Sequence, residues 1–178
     1  MKNGAKVALT GVISALAVVV MLLTVLPTMQ IGLPVVAGTL LIVPVVECGV
    51  RWGVTGYAAT AILSLLLVPS VESKLLFLLF FGYSPVIKAL IERLRAKPLR
   101  IFLKLLLFNG TMLLTYFVLL RFTTAIDPQE FTIAGVYLPG VVLAFGNVVF
   151  LVYDVALTRL IGLYLRVWQP RVRRWLHF

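Results

Sequence analysis

The sequence predicts an all-α integral membrane protein, a bundle of six transmembrane helices with both termini cytoplasmic, and three observations carry that reading. The first is composition. Of 178 residues, 62% are hydrophobic and 12% charged, against about 45–50% and about 25% in ordinary soluble domains. The second is length: a spanning helix uses about 20 residues, so six take about 120 and leave about 58 for loops and tails. No room remains for a soluble catalytic or nucleotide-binding domain. The third is the placement of charge, 16 basic residues against 6 acidic, a net of +10. The basic residues fall in gaps between apolar runs, where the positive-inside rule and anionic lipid explain them and nucleic acid need not be invoked.

The first apolar run extends from Val7 to Leu26 behind Lys2 and Lys6. At about 20 residues it exceeds the roughly 7–15-residue core of a signal peptide, and Ala15-Leu16-Ala17 lies in its middle, so it reads as a retained helix. Pro27 to Pro34 forms an uncharged turn, after which apolar runs extend from Val35 to Val50, Val54 to Val68, Lys74 to Ile91, Leu99 to Leu120 and Ile133 to Leu165. In the third run Gly49, Gly53, Gly56 and Thr60 share a face, which predicts tight packing against a neighbour. Pro85 in the fourth frees the carbonyl of Phe81 and predicts a kink. The sixth run outlasts the membrane, so residues 166–178 read as a basic interfacial tail in which Arg166, Trp168, Arg171, Arg173, Arg174 and Trp175 lie on anionic lipid. Residues 1–178 otherwise form a single transmembrane domain. With the N-terminus inside, every basic residue except Lys74 and Arg121 falls on the cytoplasmic side.

Small residues three and four apart mark helix contact faces in hydrocarbon, and Gly4, Ala8, Gly11 and Ala15 form such a line on the first helix. They pack within the chain or dock a separate membrane subunit. Ionisable groups inside a membrane need a partner or a task. Glu47, Lys88, Glu92 and Asp154 all fall in the cytoplasmic third, where Lys88 and Glu92 are four apart and can pair. Asp154 reaches Lys88, Arg93 or Arg51 if the helices adjoin, and an ion-pair layer or a proton relay follows. The sixth helix carries Gly140, Ala144, Asn147, Leu151, Asp154 and Thr158 on one face, and the fifth carries Asn109, Met112 and Tyr116. These faces should point into the bundle, either as interhelical hydrogen bonds or as the lining of a solute cavity. Phe77, Phe80, Phe81 and Tyr83 beside the Pro85 kink stack on a planar ligand or face lipid.

The absences exclude several chemistries. There is no phosphate-binding loop of the G-x-x-x-x-G-K-[ST] form. One cysteine, Cys48, and one histidine, His177, cannot build a disulfide or a Cys/His metal site. No catalytic residue, cofactor or metal is expected.

The opening Ala8-Leu-Thr-Gly-Val-Ile-Ser-Ala15 behind a short lysine stub, the six runs with both ends inside, and the stretch Leu41-Ile-Val-Pro-Val-Val-Glu-Cys-Gly-Val-Arg-Trp-Gly-Val-Thr-Gly56 resemble the substrate-binding S component of an energy-coupling factor (ECF) transporter. In that family an Ala-x-x-x-Ala motif on the first helix contacts the transmembrane T component. This sequence has Gly4-x-x-x-Ala8 and Gly11-x-x-x-Ala15 at that spacing instead. The resemblance implies a protein of the bacterial inner membrane that binds a vitamin or similar small-molecule solute from outside. Two ATPase subunits and the T component would supply the work, and Asn147, Asn109, Tyr116, Tyr83 and Phe81 would line the solute pocket. The alternative is a scaffold of the cell-shape MreD kind, small, basic and multi-spanning, with partner faces and no cavity. A membrane enzyme would need a reactive group near Glu47 or Asp154.

Overall fold

In a computed structural model, residues 3–122, 132–133 and 136–170 are described, and they are almost entirely helical. The chain divides into two compact units, residues 1–104 and 105–178. Five helical stretches are long and apolar enough to cross a membrane, Asn3–Val25, Val50–Leu67, Val71–Ile91, Lys97–Thr115 and Leu143–Trp168, with a shorter apolar stretch at Gly32–Glu47. The chain is thus an all-α protein with the helices of a multi-pass membrane protein.

The first unit begins with α1, Asn3–Leu22, which tightens into short 3-10 turns at Leu23–Val25 and Pro27–Met29. The shorter stretch is itself broken into α2, Gly32–Leu40, and α3, Ile42–Glu47. Pro44 has no N–H to return to the carbonyl four residues back, so the ladder lapses at Leu41, whose own N–H bonds to Gly38 O at 3.1 Å. Gly49, with φ +97°, then reverses the chain into α4, Val50–Leu67. That left-handed backbone is why a glycine stands there.

α1 packs on α2 and α4, and α3 packs on α4. The glycine face read from the third run is the contact. A Cβ on Gly56 would meet Thr10 Cγ2 at 3.2 Å and Ser14 Oγ at 3.3 Å, and one on Gly53 would press on Val45 and Val86. The Gly56 carbonyl accepts both Ser14 Oγ, at 3.3 Å, and Thr60 Oγ1, at 2.9 Å. Ala17, Met21, Ala37, Leu41, Ala61, Val68 and Phe77 fill the core beside this seam.

The predicted proline kink takes another form. α5, Val71–Leu76, runs into a π-helical turn, Phe77–Phe81, and α6, Ser84–Ile91, starts afresh with Pro85 in its first turn. Proline is tolerated there because the N–H it lacks would have had no intrahelical partner. The hydrogen-bond register changes at the π turn instead, where Gly82 N–H reaches back to Phe77 O at 2.8 Å.

The second unit holds most of α7, Lys97–Phe122, and α8, Leu138–Leu163, which ends in a second π-helical turn at Tyr164–Trp168. A two-residue antiparallel ladder, β1 Thr132–Ile133 with β2 Val136–Tyr137, precedes α8. The sixth apolar run begins at Ile133, whereas helix begins only at Leu138.

Candidate functional site

The line Gly4, Ala8, Gly11, Ala15 lies wholly on the exposed side of α1, while Thr10, Ser14, Ala17, Val18 and Met21 make the buried side. A Cβ added to Gly4 or Gly11 would meet nothing within 4 Å. The small residues are therefore not used for packing inside the first unit. A strip of exposed backbone remains, wide enough for another helix to approach closely.

On α6, Lys88 Nζ lies 3.0 Å from Glu92 Oε1, the four-residue pair that the spacing allows. The lysine side chain is 3% exposed and the glutamate 37%, and Lys104 Nζ approaches the same oxygen at 3.5 Å. One carboxylate thus holds two ammonium groups and ties the end of α6 to the first turns of α7. Glu47 ends α3 beside Cys48 in the α3–α4 connection. Asp154 belongs to the second unit, half-buried on α8, its carbonyl accepting Thr158 Oγ1 at 2.7 Å. Among the described residues no group of three or more His, Cys, Asp or Glu could hold a metal ion.

Asn109 and Asn147 meet in the second unit as a reciprocal amide pair. Asn109 Nδ2 donates to Asn147 Oδ1 at 2.9 Å, and Asn147 Nδ2 donates to Asn109 Oδ1 at 3.0 Å. Each amide sends its other N–H to the carbonyl four residues back, Leu105 O and Leu143 O, both at 2.8 Å. All four N–H donors of the pair are engaged. Beside the clasp Phe108 and Phe150 stack with centroids 4.8 Å apart and planes 11° apart. A Cβ on Gly146 would press on Phe108 at 3.2 Å, so glycine lets the stack close on α8.

The stripe on α8 is not covered along its length. Gly140, Ala144, Leu151 and Thr158 are exposed, and Asn147 and Asp154 are half-buried. The expectation that this whole face points into a bundle holds in part, at Asn147 and Asp154. Of the fifth-run residues, the side chain of Tyr116 lies outside the described residues, as do Arg171, Arg173, Arg174, Trp175 and His177 of the tail. Arg166 and Trp168 are exposed at the end of α8.

Around the π turn the aromatic side chains are packed into protein rather than turned to lipid. Phe77, Phe80 and Phe81 are buried. Tyr83 meets Tyr57 edge to face at 6.1 Å, and Tyr57 lies 6.3 Å from Phe77. Tyr57, which drew no notice in the sequence, donates its hydroxyl to Leu78 O at 2.7 Å, a carbonyl that the π register takes from its usual donor. Ser84 Oγ covers Phe80 O at 2.8 Å and Phe81 O at 3.2 Å. Gly38 of α2 sits so close to Phe81 that a Cβ would meet its carbonyl carbon at 2.7 Å. Phe81 is thereby held against the backbone of α2.

No family model, curated protein or solved structure matches this chain.

Proposed function

We propose that this chain is the membrane-embedded substrate-capture subunit of an ECF-type micronutrient transporter, a six-helix protein of the bacterial cytoplasmic membrane with both termini inside. A separate T component and ATPase subunits energise it. The observation that supports this reading is the open line of Gly4, Ala8, Gly11 and Ala15, whose spacing matches the docking motif of the family that the sequence resembles. A helix face that α1 does not use within its own unit is available for a T component. On the solute side Tyr83 and Tyr116 remain candidates, whereas Asn147 and Asn109 would first have to release one another.

That amide pair favours a second reading, a scaffold of the MreD kind. A pair with every donor engaged ties helices together and offers a solute no N–H donor. Two measurements separate the readings. Purification from the native host with Gly11→Leu and Ala15→Leu in place should lose a T-type subunit and its ATPases while the isolated protein melts at the parent temperature, because both positions are open in the fold. Absence of such subunits from the parent preparation refutes the transporter reading. A small molecule that raises the melting temperature of the parent supports capture, since a ligand selective for the native state stabilises by mass action. Unchanged function with leucine at both Asn109 and Asn147 supports the scaffold.

A further inference from the structure

The connection between α6 and α7 carries the densest charge in the described chain. Between Lys88 and Lys104 stand Lys88, Arg93, Arg95, Lys97, Arg100 and Lys104, six cations, against the single carboxylate of Glu92, a net of +5. That carboxylate is already committed to Lys88 at 3.0 Å and Lys104 at 3.5 Å, so it answers the two outermost cations and leaves the four between them. Residues 92–99 are exposed.

Three further features sharpen the patch. Arg100 Nε is buried and makes no hydrogen bond among the described residues, a guanidinium donor whose desolvation nothing there offsets. α7 has no acidic residue in its first turn, and Ala96 before it has no side-chain oxygen to cap the free N–H groups. The positive end of the helix dipole is thus surrounded by charge of its own sign, the reverse of the stabilising arrangement. Finally, Leu99, Ile101 and Phe102, next to the cations, are 45%, 53% and 61% exposed, as a surface against acyl chains would be.

The geometry points to a bound phosphate group at the start of α7, held by Lys97 and Arg100 with Arg93 and Arg95 of the connection, and presented by an anionic glycerophospholipid whose chains lie on Leu99, Ile101 and Phe102. A guanidinium binds a phosphate through paired N–H groups, which distinguishes this site from diffuse attraction to an acidic surface. Cations and apolar side chains side by side match a lipid, whereas free phosphate would use the cations alone.

Native mass spectrometry of the full chain in detergent tests this with phosphatidylglycerol, phosphatidylcholine and inorganic phosphate as separate probes. The expected result is retention of phosphatidylglycerol over phosphatidylcholine, reduced on the order of tenfold or more in Lys97→Gln/Arg100→Gln. Arg51→Gln/Arg159→Gln, which removes the same charge from exposed positions elsewhere, should bind as the parent does. Equal adducts of the two lipids on the parent, a comparison that needs no variant to fold, would overturn the site. Equal losses in the two double variants would do the same, by reducing it to bulk charge. Inorganic phosphate that binds alone and displaces phosphatidylglycerol would keep the phosphate site and refute its lipid source.

Discussion

Replacing Asn109 by leucine deletes both bonds of the amide pair, the 2.9 Å donation to Asn147 Oδ1 and the 3.0 Å donation from Asn147 Nδ2. What remains is asymmetric. Asn147 keeps its 2.8 Å bond to Leu143 O, but its carbonyl oxygen has lost its donor and one N–H has lost its acceptor. Hydrogen bonds between membrane helices contribute about 0.6 kcal/mol on average and up to about 1.7, and an orphaned polar group costs about 1–3 kcal/mol. Both amides are half-buried, which lowers the second figure, so the single substitution should cost about 1–2 kcal/mol. Leucine at both positions orphans nothing and should cost less than the two singles summed, with a coupling of about 1 kcal/mol. Reversible unfolding in mixed micelles, run as a double-mutant cycle, measures that coupling. Single-variant effects that add within about 0.5 kcal/mol would refute the pair as an energetic unit.

The π turn makes two predictions and the α3–α4 connection a third. Gly38→Ala drives a methyl into the Phe81 backbone and should lower stability by about 1–3 kcal/mol, whereas Gly11→Ala, in mid-helix with open space around it, should hold or slightly raise the melting temperature. Equal effects would sink the contact. Tyr57→Phe removes the 2.7 Å bond to Leu78 O and should cost about 1 kcal/mol in the same melting assay; no loss would mean that carbonyl needs no donor. At Cys48, burial pushes the thiol up from its ordinary value, opposed by the charge of Lys6. Less thiolate is then present at a given pH, so maleimide labelling in detergent at neutral pH should run slower than for a denatured control and gain on raising the pH. Folded and denatured rates that coincide across the pH range would contradict that shift.

The helices were legible because each apolar run has to bury or lipidate its side chains along a whole span. The run read as Lys74 to Ile91 appears as Val71–Ile91, and the run from Val54 begins at Val50 because Gly49 makes the reversal. Glycine spacing also announced the α1–α4 seam, since only missing side chains let two backbones approach so closely. The π turn was not legible. Phe-Leu-Leu-Phe-Phe has no sequence mark of its register, which is held from outside by Gly38, by the Tyr57 hydroxyl from α4 and by Ser84. Asn109 and Asn147 could each be picked out, but their pairing across 38 residues depends on how α7 and α8 slide past one another, which period and composition leave open.

A polar side chain in hydrocarbon need not point inward, and this separates the groups that fasten the fold from those left for function. Threonine can satisfy its only donor on the carbonyl one turn back, as Thr55 does on Arg51 O at 3.1 Å and Thr158 on Asp154 O at 2.7 Å, both from exposed positions. Such hydroxyls say little about which face is covered. A carboxamide cannot do the same. It has two N–H groups and an oxygen, and the carbonyl one turn back takes only one of them, which is why the amides of α7 and α8 meet while Gly140, Ala144, Leu151 and Thr158 of the α8 stripe stay exposed. These hydroxyls and amides are thus accounted for by the fold itself. The exposed glycines of α1 and the cations before α7 are not, because neither helps its own unit to fold: the first leaves backbone bare, and the second sets like charges around a positive helix end. Features that a fold would be as stable without are where a partner or a lipid should be sought.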